Sequence, residues 1–325
     1  MSALLHESLG ATGGNYAVRL SSRIQEASDH MRLLQNWHLR YEQLSSGKFE
    51  GALREAWING IHLYQESLSQ KVFQTGMACD GHICLGVFTA LSGEARWFGE
   101  SLTTDDVMYL GSQDELLLTT PHRSSLLVLS LPERLFDCGD LERSLNRTYV
   151  RNPALANSLR RDILGALNHL VSRPLSYSSQ RSRELFALNI KNLVSDFICQ
   201  SAQGGPQLAA GRAKDVVEKA RSFVDERRGE AVAIDEICQR TYTSRRTLQN
   251  CFEKITGESP ASFLKAQRLN GIRRELLDPL NAKSIGDVAA EWGFWHLSQF
   301  SSDYKRLFGE SPSATLHFAR RYWNG

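Results

Sequence analysis

The chain has 325 residues, with 38 Lys+Arg against 36 Asp+Glu (formal net charge +2), 42% hydrophobic, 9% aromatic and 23% charged residues. That length accommodates about two domains at ~150 residues each, and the composition excludes a disordered, collagenous or disulfide-scaffold chain. No apolar stretch reaches the ~18 residues of a membrane helix, and the start lacks a cationic segment followed by an apolar one, so a cytoplasmic protein with no membrane partner is expected.

In chain order, Phe49 to Leu131 reads as strands. Short apolar runs (Trp57-Ile58, Ile61 to Tyr64, Ile83 to Phe88, Val107 to Leu110, Leu126 to Leu129) alternate with Gly, Asp, Ser and Asn turn signals. Strands without interleaved helices point to an antiparallel sandwich or barrel. His62, His82 and His122, with Glu66, Asp80 and Glu94, are the metal-ligand candidates there. They lack paired His-x-His spacing, so no metal or other cofactor is expected. Trp57, Tyr64, Phe88, Trp97, Phe98 and Tyr109 serve either as core or as the wall of a ligand pocket. The six cysteines (Cys79, Cys84, Cys138, Cys199, Cys238, Cys251) form no CxxC pair and read as small buried apolar side chains.

From Asn152 the period changes to that of helices. Leu155, Leu159, Ile163, Leu167 and Leu170 make one apolar stripe, and Phe186, Ile190, Leu193 and Phe197 another. Each stripe either covers the strands or forms a dimer interface. Ser201 to Gly211 has three glycines, one proline and no charge, the composition of a linker. Beyond it the pattern is helical: Ala213–Arg228, Ile234–Arg240, a turn at Thr241–Ser244, Arg245–Thr256, Pro260 to Leu277, Ile285–Trp292, and a helix from His296 or Leu297 to Phe308. Ser244 is placed to cap the helix that follows it, and Gly257 and Gly309 to end helices. From Gly211 onward there are 19 basic and 15 acidic residues, against 19 and 21 before it, a weak indication of a polyanionic partner.

A shift of 52 positions superimposes two segments. Gly257-Glu-Ser-Pro260 falls on Gly309-Glu-Ser-Pro312, Asp235 on Asp287, Leu248 on Phe300, Phe252 on Tyr304, Lys254 on Arg306 and Ile255 on Leu307. Two copies of helix, tight turn, helix fit a tandem helix-turn-helix better than a solenoid. The candidate DNA-reading residues are Ser244, Arg245, Arg246, Thr247, Gln249 and Asn250 in the first copy. In the second they are His296, Ser298, Gln299, Ser302, Lys305 and Arg306. Arg can take guanine O6/N7, and Gln or Asn adenine N6/N7. Lys265, Arg268, Arg273 and Arg274 on the connecting helix suit phosphates or acidic neighbours. The competing reading is a protein-interaction module with a vestigial repeat. No catalytic residues are expected: there is no Gly-x-Ser-x-Gly elbow, phosphate loop, dinucleotide fingerprint or His-Glu-x-x-His.

Residues from about Lys214 to Leu316 resemble the DNA-binding domain of the AraC/XylS transcriptional regulators. The match is carried by Ala289-Ala-Glu-Trp-Gly-Phe294, Ser298-Gln-Phe300, Tyr304-Lys305 and Phe308-Gly-Glu-Ser-Pro312. Two positions depart from the family pattern: Ser302 stands where many members carry Arg, and Leu297 where others present a polar residue. Trp292 to Leu297 and Ser244 to Asn250 resemble the ethanolamine-utilisation-regulator-like subgroup. The resemblance implies an α+β chain: a cupin-like antiparallel β-barrel with dimerisation helices, then an all-α domain with two helix-turn-helix motifs. The expected division is a sensor and dimerisation domain at 15–200 (barrel about 45–135, helices about 141–200) and a linker at 201–212. A DNA-binding domain follows at 213–325, with its units at about 232–257 and 284–309. The resemblance also implies promoter DNA as partner, a homodimer that is nucleoid-associated when bound, contact with RNA polymerase in an activator, and a small-molecule effector of unknown identity.

Overall fold

The computed structural model describes residues 7–8, 16–34, 37–136, 148–201, 211–230 and 232–323. Cys138, most of the 201–212 linker and residues 141–147 of the helical region lie outside the described residues.

The N-terminal part holds two antiparallel sheets. The larger orders β1 (Glu7–Ser8), β2 (Tyr16–Ile24), β4 (Gly51–Ile58), β5 (Ile61–Leu68), β12 (Ser124–Pro132), β7 (His82–Leu91), β10 (Asp106–Leu110) and β13 (Tyr149–Arg151). The smaller orders β3 (His38–Gln43), β6 (Val72–Met77), β11 (Glu115–Thr120), β8 (Ala95–Trp97) and β9 (Glu100–Leu102). A short helix, α1 (Ala27–Leu33), links β2 to β3. The expected α+β class with an antiparallel N-terminal β region holds; the described strands pair into two separate sheets that do not close, and they draw in residues outside 45–135.

The arrangement is layered, and the layers account for the strand composition. On β12, Leu126 and Val128 pack between the two sheets, while Leu127, Leu129 and Leu131 face the other way. That second face is covered by α2 (Pro153–Ser172) and α3 (Gln180–Ser201). Leu155, Leu159, Ile163, Leu167 and Leu170 of α2 are fully buried there, as are Ile190 and Phe197 of α3, each worth ~1.5–3 kcal/mol relative to exposure. The α2 stripe therefore covers the sheet, and the α3 stripe joins the same apolar core beside α2. A strand buried on both faces shows no polar alternation, so its pattern cannot distinguish a barrel from stacked sheets.

The C-terminal part is helical: α4 (Gly211–Glu226), α5 (Ile234–Thr241), α6 (Arg245–Thr256), α7 (Pro260–Leu277), α8 (Ile285–Glu291), α9 (Leu297–Phe308) and α10 (Pro312–Trp323). It packs on the outer face of the smaller sheet, where Phe73 of β6 meets Phe263 of α7 edge-on at 5.0 Å between ring centres. One apolar core therefore runs from between the sheets into the helices.

Of the cysteines, Cys79, Cys84 and Cys251 are buried as expected, but Cys199 is exposed and Cys238 half-buried, and all five are free thiols. Cys199 falls on the outward side of α3, which the sheet does not cover. No helix among the described residues is long and apolar enough to cross a membrane.

Candidate nucleic-acid interface

The two copies of the repeat fold alike. In the first, Ser244 accepts a hydrogen bond from the Thr247 amide at 3.1 Å and so starts α6, which Gly257 ends at φ +66°. In the second, Ser284 and Asp287 cap α8 reciprocally, at 3.2 and 3.3 Å, and Gly309 ends α9 at φ +72°. Only glycine enters that left-handed region without strain. The equivalent side chains Leu248, Phe252 and Ile255 on α6, and Phe300, Tyr304 and Leu307 on α9, are all buried. Each second helix thus seats one apolar face and leaves the other to solvent.

Both units are anchored on α7. Trp292, after α8, lies so close to Gly271 that a Cβ there would sit 2.1 Å from the indole, and its Nε1 donates to Glu275 at 3.0 Å. Asp303 of α9 is buried and accepts from Lys265 at 3.4 Å and from Arg306 at 2.5 Å. Arg273, buried in α7, donates to Glu26 at 2.7 Å, to Glu310 at 2.9 Å and to the Tyr304 hydroxyl at 3.2 Å. Burial opposes its charge, but the two carboxylates hold its pKa above the usual guanidinium range. Arg273 therefore takes acidic neighbours rather than phosphates. Burial alone lowers Arg268, which lies over the Phe294 ring at 5.5 Å, and is the main cause lowering Arg274, to about 10.

The sequence-derived site residues occupy the outward faces. Ser244, Arg245, Arg246 and Asn250 are exposed, and Thr247 and Gln249 are half-buried. His296, Ser298, Gln299, Ser302, Lys305 and Arg306 are all exposed. Several carry internal partners. Arg245 forms an ion pair with Asp235 at 2.6 Å, which lowers the Asp235 pKa and raises that of Arg245. Gln249 donates to Glu253 at 2.5 Å, and Ser244 and Thr247 share a hydroxyl contact at 2.9 Å. Arg246, Asn250, His296, Ser298, Gln299, Ser302 and Lys305 have no side-chain partner among the described residues, so their donors and acceptors are free for a ligand. Tyr242 and Trp295, in the turns of the two units, are 90% and 66% exposed, and neither was among the sequence-derived candidates.

The sequence gives no hint of how the helices meet the sheet. The Ile255 carbonyl accepts from Thr119 of β11 at 3.0 Å, and the equivalent Leu307 carbonyl accepts from Gln43 Nε2 of β3 at 2.7 Å and from the Gly47 amide at 3.0 Å. Arg96 of β8 donates to the Lys254 carbonyl at 3.1 Å. Lys71 bonds the Gly257 carbonyl at 3.2 Å and Glu258 at 2.6 Å. Between these contacts, Asn270 of α7 pairs with the Gln43 backbone, accepting from its N–H at 3.0 Å and donating to its C=O at 2.9 Å. Gln43 lies on the edge strand β3, so the Asn270 amide takes the place of a neighbouring strand.

The metal-ligand candidates are not brought together. Glu66 is bonded by His30 at 3.1 Å, Tyr41 at 3.0 Å and Gln74 at 3.3 Å. His62 contacts Glu55 at 3.0 Å and stacks on Trp57 at 4.5 Å. His82 faces backbone carbonyls, Asp80 meets Gln113 at 3.0 Å, and Glu94 pairs with Arg96. No group of three ligating side chains occurs among the described residues. Of the aromatic candidates, Tyr64, Trp97 and Tyr109 line a cavity of about 30 Å³ between the sheets, with Trp37, Tyr41 and Glu66. Phe88 and Phe98 are core.

A family model described as "Helix-turn-helix domain" matches residues 237–317. The chain is 25% identical over 292 residues to XylDLEGF operon transcriptional activator 1 of Pseudomonas putida, spanning 85% of this chain and 87% of that protein. It is 34% identical over 100 residues to XylDLEGF operon transcriptional activator 2 of the same organism, spanning 30% of this chain and 64% of that one. Among solved structures, a probable AraC family transcriptional regulator from Rhodopseudomonas palustris is 30% identical, covers 32% of this chain and 97% of its own, and gives a TM-score of 0.30. The long matches to operon activators, and the family model lying across both repeat copies, agree with the residues that carry the resemblance. The chain carries a helix-turn-helix domain at residues 237–317 and is similar over most of its length to transcriptional activators of the AraC/XylS family.

Proposed function

We propose that this regulator reads promoter DNA with both helix-turn-helix units, α5–α6 and α8–α9, within a DNA-binding domain at 213–325, and that it activates transcription in the cytoplasm in contact with RNA polymerase. The carrying observation is the pair of equivalent helices, each with a buried apolar face and an outward face of partnerless polar side chains: Arg246 and Asn250 on one, Ser298, Gln299, Ser302 and Lys305 on the other. Of the remaining candidates, Arg245, Gln249 and Arg306 exchange their internal partners for DNA, Ser244 and Thr247 lie at the start of α6, and His296 stands at the N-cap position of α9 with its side chain free of a capping bond. Mobility shifts with a salt titration test this reading. Specific affinity falling steeply with salt supports it, and salt-independent or absent binding returns the chain to the vestigial-repeat reading. Arg246→Ala weakens binding to the selected site by ~5- to 100-fold, the range of one base contact. It changes nonspecific binding far less, and equal losses on both contradict base readout.

The sensor part, residues 15–200, is proposed to take a small effector between its sheets. Trp37 and Trp97 both line the cavity there, and neither indole N–H has an acceptor among the described residues, an arrangement suited to a ligand that brings one. The cavity holds about one or two waters as it stands, so an effector has to widen it. A homodimer is proposed through the outward side of α3, where Leu185 and Leu188 are each 52% exposed, beside Leu175 at 85%.

A further inference from the structure

Resting on that DNA-reading assignment, we infer that the second unit reads thymine methyl groups and so recognises an A·T-rich segment, whereas the first reads a guanine-containing one. The inference comes from how the two copies differ at equivalent positions. At the first position of α6 stands Arg245, ion-paired to Asp235. Its counterpart 52 residues on is Leu297, the first residue of α9, whose side chain is 49% exposed. The counterpart of Thr243, two residues earlier, is Trp295, 66% exposed. Asp287, the counterpart of Asp235, is committed to capping α8 through Ser284 and offers the second helix no ion pair. Leu297 is only partly covered: its Cδ1 lies over Gly286 of α8, 3.8 Å from where a Cβ would stand, and about half of the residue stays exposed.

Two large apolar side chains at the leading end of a recognition helix remain hydrated until something apolar covers them. In a major groove the apolar group on a base edge is the C5-methyl of thymine, and Gln reads adenine N6/N7. Gln299, exposed and partnerless two residues after Leu297, supplies the hydrogen-bonding half of the same A·T preference. The first unit has no exposed aliphatic side chain on its recognition helix and offers Arg246, suited to guanine O6/N7.

The test uses the full chain and its selected DNA site. Each thymine is replaced in turn by deoxyuridine, which removes one methyl and leaves every hydrogen-bonding group in place. One or two replacements within the segment read by α9 weaken binding by about three- to fivefold each, the effect of one buried methyl. Leu297→Ala, a change at an exposed position that leaves the core intact, weakens binding to the thymine site but abolishes the difference between thymine and deoxyuridine at its contact position. Trp295→Ala does the same for a second position, or for none. Binding indifferent to every replacement overturns the inference and leaves the regulator reading standing, as does a Leu297→Ala protein that still discriminates thymine from deoxyuridine equally well at every position. A chain that selects no DNA site overturns both.

Discussion

Replacing Asn270 by Ala separates the attachment of the DNA-binding helices from their own stability. The Asn270 amide is the partner of both the N–H and the C=O of Gln43, at 3.0 and 2.9 Å, and Gln43 is only 2% exposed. Leaving a buried polar group without a partner costs about 1–3 kcal/mol. Two such groups, with part returned by water entering the gap, give about 2–4 kcal/mol of lost docking, or roughly 30- to 1,000-fold in the docking equilibrium. Ala is the better helix former by ~0.5 kcal/mol, so α7 itself does not weaken. Hydrogen exchange distinguishes the two effects. The Gln43 amide should lose protection by about that factor, amides in the middle of α7 should keep theirs, and chemical denaturation should split into two transitions. A Gln43 amide that exchanges as slowly in the variant as in the parent, with one unfolding transition at an unchanged midpoint, refutes the reasoning.

Two further expectations concern the sensor part. Burial lowers the pKa of His62 despite its Glu55 partner, so the folded protein holds the imidazole neutral while the unfolded chain takes up a proton near pH 6.5. His62 thus contributes stability above that value and loses it as the pH falls from about 6.5 toward the lowered folded value. The urea midpoint should drop between pH 7 and pH 5 by less in His62→Gln than in the parent, and equal drops would exclude His62 as the source. Leu185→Glu with Leu188→Glu puts two charges on the outward face of α3 without touching its buried stripe. Light scattering should then show monomer with an unchanged unfolding midpoint, and a persisting dimer would place the interface elsewhere.

The helical half is largely legible in the sequence because its signals are local. Ser244, Gly257, Pro260 and Gly309 punctuate within a residue or two of the helix ends they produce; the bounds Arg245–Thr256 are those observed, and of the two starts open to α9, His296 and Leu297, the structure takes Leu297. The sheets are less so. β3 escapes notice because its sequence, His38-Leu-Arg-Tyr-Glu-Gln43, looks polar. Glu42 is nonetheless fully buried, and its charge is matched by Arg40 at 2.9 Å and by the remote Arg221 of α4 at 3.6 Å. A strand whose buried charge is paired with an arginine of the distant α4 carries no local trace of its burial. For the same reason Gln43, Thr119 and Arg96 could not be singled out: their acceptors are backbone carbonyls, which any residue presents. The outward residues of α6 and α9 were legible, since helical spacing fixes which side of a helix each residue occupies once its apolar face is known. Trp295 was not, because a turn assignment says nothing of exposure.

The place where the sheet grips the helices bears on how a sensor could act on DNA. The last carbonyls of a helix have no partner within it, and the smaller sheet and the loop after β3 bond one at the same point of α6 and α9, Ile255 through Thr119 and Leu307 through Gln43 and Gly47. Side chains alternate across a strand, so the strands that hold the helices also wall the cavity. On β11, Leu118 lines the cavity and Thr119 bonds Ile255; on β6, Gln74 lines it and Phe73 meets Phe263. On β8 the same holds for Trp97 and for Arg96, which bonds Lys254. Under the effector reading proposed above, a ligand that parts the sheets displaces residues adjacent in sequence to those seating α6 and α7. It shifts the balance between seated and released helices only as far as it binds one state better than the other. Because both grips belong to one sheet, such a displacement acts on the two units together. Under the proposed reading, in which both units meet one duplex, this coupling matters because moving either unit alone would break the register between them.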